Sequence, residues 1–478
     1  MSYQKRVPLV FSLFALALCA LPSLAQTDRA TLEGTVTDAT GGVISGAKVS
    51  VTAVDTGLSY DRSTNSSGYF RFPGLAIGVY TATVSNSSFK TKTIGNIQLQ
   101  VGQTRTLDVD LAVGEISDRM EISADAAPAE RSSAEASTVI RTDQIANLPV
   151  NGRDWSGLTL LAAFAQDDGG GNQRTIRYAG RAIDDNNFNF DGVDAGGIQE
   201  QAQKSQVRLQ ISEDAIAEYR VNSALYDAEY GTQAGAQVDV VTKSGSNDFH
   251  GTVFGYLRNS VFDARNFNDF DVNGNPAIPP FRLGQYGLTV GGPIVKDKTF
   301  FFLSYEGLRQ LQSTTQQAIV PSAKLLADIL VNGRIDTTQN PPVLVGPSPQ
   351  MCPILQAYPW RASTGSLGGC VPKLVFPDSA FLLQPDGDSD QFTHATPTTI
   401  HEDTALVRVD HKFSDKTTLY GRAQRDILHS DQPISPLFDI QKIVNHPANY
   451  FLALQHTFTS NLFNEAKIFI NRSPYHNP

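Results

Sequence analysis

The chain reads as mainly β, in three successive parts: a small sandwich, an α+β unit and the opening strands of an antiparallel barrel. Three observations lead there. Only 18% of the 478 residues are charged, while Gly is plentiful at 38 and Phe and Tyr stand at 26 and 15, a composition suited to strands and turns. Short alternating runs recur along almost the whole length. In the last part, tight and long connections between those runs alternate in strict order.

The N-terminus has the pattern of an export leader. Lys5 and Arg6 precede the apolar run VPLVFSLFALALCAL, and Ser23-Leu24-Ala25 is a small-residue cleavage site. Residues 1–25 are therefore expected to be a signal peptide, with the mature chain starting near Gln26. The run is too short for a spanning anchor, and Leu18 before Cys19 disfavours a lipid-modified cysteine. Cys352 and Cys370 are then the only mature cysteines and are expected to pair in an oxidising compartment.

Residues 30–113 carry TLEGTVTD, AKVSVTAV, YFRFPGL, GVYTATVSN and TRTLDVDLAV, short strands separated by Gly, Asn, Ser and Asp. The motifs G-x-V-x-D and G-x-Y-x-F-x-x-L-x-x-G-x-Y within them resemble the carboxypeptidase regulatory-like domain, a transthyretin-like β-sandwich that itself carries no catalytic groups. Residues 114–137 read as a linker with one strand, DRMEISAD. That strand is either the first of the next unit or, at Met120 to Ala124, a box for strand addition to a partner.

From 138 to 245 the grammar is α+β. Thr142 is placed to cap a short helix DQIANL, and Asp154 to Phe164 offers a second helix with Trp155, Leu158, Leu161 and Ala162 on one side. Strands follow at TIRYAG, NFNFDGV, AEYRVN and AQVDVVTK. The Asp/Asn-rich DDNNFNFDGVD lacks the Gly at the sixth position and the Glu at the twelfth that a calcium loop needs, so it reads as a strand ending in the turn Asp191-Gly192. Tyr226, Tyr230, Val238, Val240 and Val241 are expected to be buried, with Gly231 and Gly235 where the backbone turns.

Beyond Gly245, SGSND supplies small and turn-forming residues for leaving one unit and entering another. Seven runs follow: FHGTVFGYLRNS, RLGQYGLTVGG, TFFFLSYEGL, TALVRVDHKF, TLYGRAQRDIL, NYFLALQHTF and LFNEAKIFINR. Each has about the ~10-residue length of a tilted transmembrane strand. In the fourth, Ala405, Val407 and Val409 oppose Arg408, Asp410 and Lys412; in the seventh, Ala466, Ile468 and Ile470 oppose Glu465 and Lys467. Tyr286 and Phe301 are expected on the outer surface. The tight links are PIVKDK, SDK and TSN, and the others are long, as in outer-membrane barrels. The longest, Gln310 to Glu402, holds eleven of the 25 prolines and both mature cysteines.

The runs NLPVNGRDWSGLTLL, NNFNFDGVD and IAEYRVNSALYDAEYGTQAGAQVDVVTKSGSNDFHG resemble the plug of TonB-dependent outer-membrane receptors, in particular the Oar-like group with a regulatory-like domain in front. The resemblance marks Asn151, Gly152, Arg153, Asp191, Gly192, Glu229, Tyr230, Gly231, Gly235, Thr242 and Lys243 as plug signature residues. It implies residence in the outer membrane, a plug at 138–245 and a partial barrel of about seven strands at 249–478. The implied partners are membrane lipid, a TonB-type energy transducer and an unidentified extracellular substrate. Because the family's barrels have many more strands, the chain is expected to be the N-terminal part of a longer receptor. The sequence leaves the substrate, the position of the TonB box and the oligomeric state open.

No HExxH, G-x-S-x-G, Walker A, G-x-G-x-x-G or CxxC motif occurs, so no catalytic, cofactor or metal residues are expected. His394, His401, His411, His429, His446 and His456 lack metal-ligand spacing. A formal charge of −10 without a Lys/Arg block argues against nucleic acid. The alternative from a different class is a secreted or surface-attached carbohydrate- or peptide-binding protein, which would have no reason to alternate its connection lengths.

Overall fold

A computed structural model describes residues 28–114, 119–123, 135–169, 175–195, 210–226, 230, 234–267, 269, 275–336, 341–433, 440–459, 462–472 and 475–476. The expected leader at 1–25 lies outside them, as do Glu229 and Gly231.

The sandwich is built from β1 (Ala30–Asp38), β2 (Lys48–Ala53), β3 (Ser59–Ser63), β4 (Tyr69–Leu75), β5 (Gly78–Asn86), β6 (Phe89–Leu99), β7 (Thr104–Thr106) and β8 (Val109–Leu111). One sheet centres on β1, flanked by β4, β7 and β8; the other runs β3-β2-β5-β6. Alternate residues such as Leu32, Val36, Val49, Val51, Phe70, Phe72 and Val84 point between the sheets and are buried, as period-two patterning requires. Gly34 is obligatory: a Cβ there would lie within 1.9 Å of the Leu107 carbonyl oxygen.

The strand DRMEISAD departs from its expected place as the first plug strand. As β9 (Arg119–Ser123) it pairs in parallel with Thr91–Gly95 of β6, extending the sandwich. An unpaired edge beside a short linker is the nearest available ladder. The same pairing occupies most of the Met120 to Ala124 stretch weighed as a strand-addition box.

The plug sheet runs β10 (Ala136–Ile140), β15 (Ile216–Ala224), β16 (Gln237–Thr242), β13 (Asn187–Phe190) and β14 (Val193–Asp194), with β11 (Ala165–Asp167) and β12 (Ile176–Tyr178) paired beside it. Helix α1 (Thr142–Asn147) is capped from Arg141, whose backbone N–H donates to the Gln144 side chain. The expected cap, Thr142, instead gives its hydroxyl to the Ala217 carbonyl. The second expected helix is a 3₁₀ turn, Trp155–Leu161; its three-residue period turns Leu161 outward, 51% exposed, while Trp155, Leu158 and Ala162 stay inside. Trp155 meets Phe188, Phe190 and Tyr219 edge-on at 5.2–6.5 Å, the heart of the plug core.

After β16 the chain changes sheet. β17 (His250–Asn259), β18 (Phe281–Val295) and β19 (Thr299–Pro321) form a separate antiparallel sheet. An excursion follows, with α2 (Ala323–Ala327), β20 (Arg334–Asp336), β21 (Val343–Val345), α3 (Cys352–Leu355), β22 (Pro359–Arg361), β23 (Leu374–Phe376) and β24 (Phe381–Leu383). The sheet resumes with β25 (Ser389–Ser414), β26 (Thr417–Pro433), β27 (Ile440–Asn445), β28 (Ala448–Thr459) and β29 (Leu462–Arg472). Seven long strands pair in order β17-β18-β19-β25-β26-β28-β29, and β27 pairs with the outer end of β26, beyond β28.

The two ends of the expected 310–402 loop, residues 310–321 and 389–402, are strand, since β19 and β25 stay in register from Thr299↔His411 to Pro321↔Ser389. The polar run Ser313, Thr314, Thr315, Gln316 and Gln317 shows no apolar alternation there, even though it still pairs. Beyond it, Leu326, Leu330, Leu355, Trp360 and Cys370 form a small core, and a disulfide joins Cys352 to Cys370. No helix among the described residues is long and apolar enough to cross a membrane.

Candidate functional site: the plug against the sheet

The two faces of the long-stranded sheet differ in chemistry. Val253, Leu257, Tyr286, Val407, Val409, Leu452, Ile468 and Ile470 are exposed on one face, a continuous apolar surface that has the composition of a lipid-facing band. Phe301 shares that side and is partly exposed. The other face carries Gln285, Ser304, Arg408, Arg422, Gln424 and Asn449, all buried under the plug and the start of the sandwich.

Asp191 is the centre of that contact. It and Gly192 make the β13–β14 turn with φ of 51° and 69°, and Gly192 suits this left-handed backbone. The turn projects the Asp191 carboxylate to the wall, where Arg408 of β25 reaches it at 3.1 Å and Arg422 of β26 at 2.8 Å. Thr242 at the end of β16 donates its N–H at 2.9 Å and its hydroxyl at 2.9 Å. Asp410 grips the other edge of Arg408 at 2.9 and 3.0 Å, and Lys467 of β29 donates to the Asp191 carbonyl at 2.9 Å. Each buried charge has a partner, which its burial demands.

A second anchor forms at Arg153. Gly152, at φ 67°, turns the chain so that Arg153 lies among Glu213 at 3.3 Å, Asp214 at 2.7 Å and Glu306 of β19 at 3.7 Å. Its guanidinium also covers Phe254 of β17, 4.1 Å from the ring centre. Ser212 donates to Glu306, and Gln285 of β18 donates to the Gly152 carbonyl at 2.9 Å. Burial raises Glu213 to about 7, with Arg153 opposing the shift.

The remaining described signature residues make contacts within the plug. Asn222 donates to the Tyr230 hydroxyl at 3.1 Å, and that hydroxyl reaches Asp239 at 3.4 Å. Burial raises Asp239 to about 6. Gly235 serves close approach rather than a turn, because a Cβ would meet Asn186 Oδ1 at 2.6 Å and the Asp185 carbonyl carbon at 2.6 Å. The Lys243 N–H donates to the Ala215 carbonyl at 2.8 Å, and Asn151 begins the turn that carries Arg153. Arg408, Arg422, Glu306 and Lys467 were not singled out as plug contacts from sequence. The one available signal was a charged residue alternating with valines, as at Arg408.

Two parts of the chain match known families. Residues 241–478 match the outer membrane beta barrel domain family, and residues 31–112 match the carboxypeptidase regulatory-like domain. The chain is 28% identical over 300 residues to the TonB-dependent transporter Oar of Myxococcus xanthus, covering 59% of this chain. The barrel residues belong to the outer membrane beta barrel family, and the chain is similar to the TonB-dependent receptors of the Oar-like group. The match spans 27% of the Oar relative's length. Solved structures that the chain resembles in part include the outer membrane transporter YddB of Escherichia coli, with TM-score 0.42, 13% identity and coverage of 68% of this chain and 37% of that one. A ferric enterobactin receptor variant of Pseudomonas aeruginosa gives TM-score 0.42 and 12% identity, with coverage of 71% and 41%. By its barrel-domain match and its Oar relative, the protein is an outer-membrane protein.

Proposed function

We propose that this receptor binds a substrate at its extracellular side and imports it when a TonB-type transducer pulls on the plug from the periplasm. The observation that carries the reading is the way the plug is seated. Two small apolar contacts, Phe302 and Leu406 entering the plug core and Val193 against Tyr420, Phe451 and Ala453, are set among ionic and hydrogen-bonded ones: Asp191 with Arg408 and Arg422, Arg153 with Glu306, Gln424 with the Gln210 carbonyl at 2.6 Å and Asn471 with the Asp194 carbonyl at 3.1 Å. Such contacts fix register, and water can replace them when the plug shifts, which a continuous apolar core does not allow.

The test is binding of the purified periplasmic domain of a TonB protein to the full chain, followed by cross-linking to locate the contact. Saturable binding mapped between the sandwich and the plug supports the reading. Absence of binding, in a chain whose disulfide and plug are intact, contradicts it.

A further inference from the structure

We propose that the cavity between the sandwich and the adjoining rim of the barrel sheet is a binding site for a phosphate-bearing anion, gripped by Arg29. The cavity has a volume of about 340 Å³. It lies where the β2–β3 turn meets the tight β18–β19 and β25–β26 connections, the end opposite the long excursion.

Arg29 carries the argument. Its side chain is 8% exposed, yet Nε and Nη2 have no hydrogen-bond acceptor among the described residues. These two nitrogens share one edge of the guanidinium, the edge that grips an oxyanion with two parallel bonds. The ring of Tyr420, 4.0 Å from the guanidinium carbon, fixes its plane. The nearest carboxylate, Asp28, stands 3.9 Å from Nε, beyond hydrogen-bond reach. It is engaged instead by Lys467 and the Tyr420 hydroxyl, each at 3.2 Å. Asp28 balances the charge of Arg29 without accepting a hydrogen bond from it, so the bidentate edge stays open to an oxyanion.

The rest of the lining fits one. Lys298 adds positive charge from the tight β18–β19 connection, Lys412 is held by Asp415 at 2.7 Å, and Leu58, Ile77 and Phe300 give the cavity an apolar wall. Asp410, also in the lining, is neutralised by its bidentate contact with Arg408. Asp55 is the one other acid there. A phosphate with a glyceryl or other short organic substituent matches both walls. The source is either a phospholipid headgroup of the inner leaflet or a soluble phosphate. The site rests on the cavity and not on uptake, so it stands or falls separately from transport.

The test is ³¹P NMR titration of inorganic phosphate into the purified full chain in zwitterionic detergent, repeated in bilayer discs of phosphatidylcholine with and without phosphatidylglycerol. Saturable broadening of the phosphate signal is expected, weakened at least about tenfold by Arg29→Gln and by a smaller factor by Lys298→Gln, an exposed change that leaves folding intact. Loss of phosphate binding in phosphatidylglycerol discs alone identifies the lipid as occupant; retention there identifies a soluble anion. No saturable binding, or binding that both variants leave unchanged, overturns the proposal. Should Arg29→Gln fail to fold, Lys298→Gln decides.

Discussion

Asp191, at the tip of a plug hairpin, and Arg408, on a barrel strand 217 residues later in the chain, form a buried ion pair at 3.1 Å with side chains 0% and 4% exposed. Arg422 closes the same carboxylate from the next strand at 2.8 Å. Asp191→Ala leaves two buried guanidinium groups without this partner, an expected cost of about 3–5 kcal/mol. The loss should appear as faster hydrogen exchange at Phe188, Phe190 and Val240, with the sandwich amides unchanged. Exchange equal to the parent would show that the pair does not hold the plug.

The sandwich is expected to fold by itself, and to do so better with β9 included. A fragment of residues 28–123 should be monomeric and β-rich. One ending at 113 should lose protection along Thr91–Gly95, the edge that β9 covers. Identical exchange in the two fragments would remove β9 from the sandwich.

The sequence made some of this legible and hid the rest for physical reasons. Val407 and Arg408 alternate in sequence because one face of the sheet is apolar and the other meets the plug, so strand and face could both be read. The outer half of the β19–β25 hairpin, with Ser313 and Gln316, has no such contrast between its faces and looked like loop. β9 is a polar pentapeptide whose parallel partner is chosen by an open edge, and local pattern does not encode that choice. Asp191 was visible as a turn residue, but its arginine partners lie in strands more than 200 residues away, beyond any periodic signal. Gly235 was visible as a glycine, while the neighbouring Asn186 that demands it was not.

The junction between plug and sandwich should depend on pH through Glu218. Burial, the larger effect, raises its carboxyl to about 7 from 4.5, against the pull of its hydrogen bond from the Val101 N–H and of Arg141 and Arg220. The folded state therefore binds more protons than the unfolded state between these values. Stability from this group is greatest below about pH 4.5 and falls as pH rises through 7, by an amount on the order of 3 kcal/mol. Exchange at the Val101 amide measured from pH 5 to 8, corrected for intrinsic rate, should show the loss in the parent and a flat profile in Glu218→Gln. A parallel slope in both would assign the dependence elsewhere.

Reduction should loosen the excursion without opening the sheet. Closing the 18-residue separation between Cys352 and Cys370 is worth about 3 kcal/mol in the chain-entropy model. Trp360, fully buried and bonded through its indole N–H to the Leu355 carbonyl at 2.9 Å, is the reporter. On reduction its fluorescence should shift to the red and residues 341–388 should become protease-sensitive, while β25 and β26 stay protected. Unchanged fluorescence would show that the small core holds without the bond.

The central claim is that the long strands present one face to lipid and the other to the plug, and nitroxide scanning of β25 in outer membranes tests it most directly. Single cysteines replacing Ala405, Leu406, Val407, Arg408 and Val409 would be spin-labelled and exposed to oxygen, which partitions into lipid, and to a water-soluble nickel chelate. The account predicts strict alternation: labels at 405, 407 and 409 open to oxygen and shielded from the chelate, and labels at 406 and 408 immobilised and shielded from both. Equal access of the chelate to both sets would contradict it and return the chain to the class of secreted binding proteins.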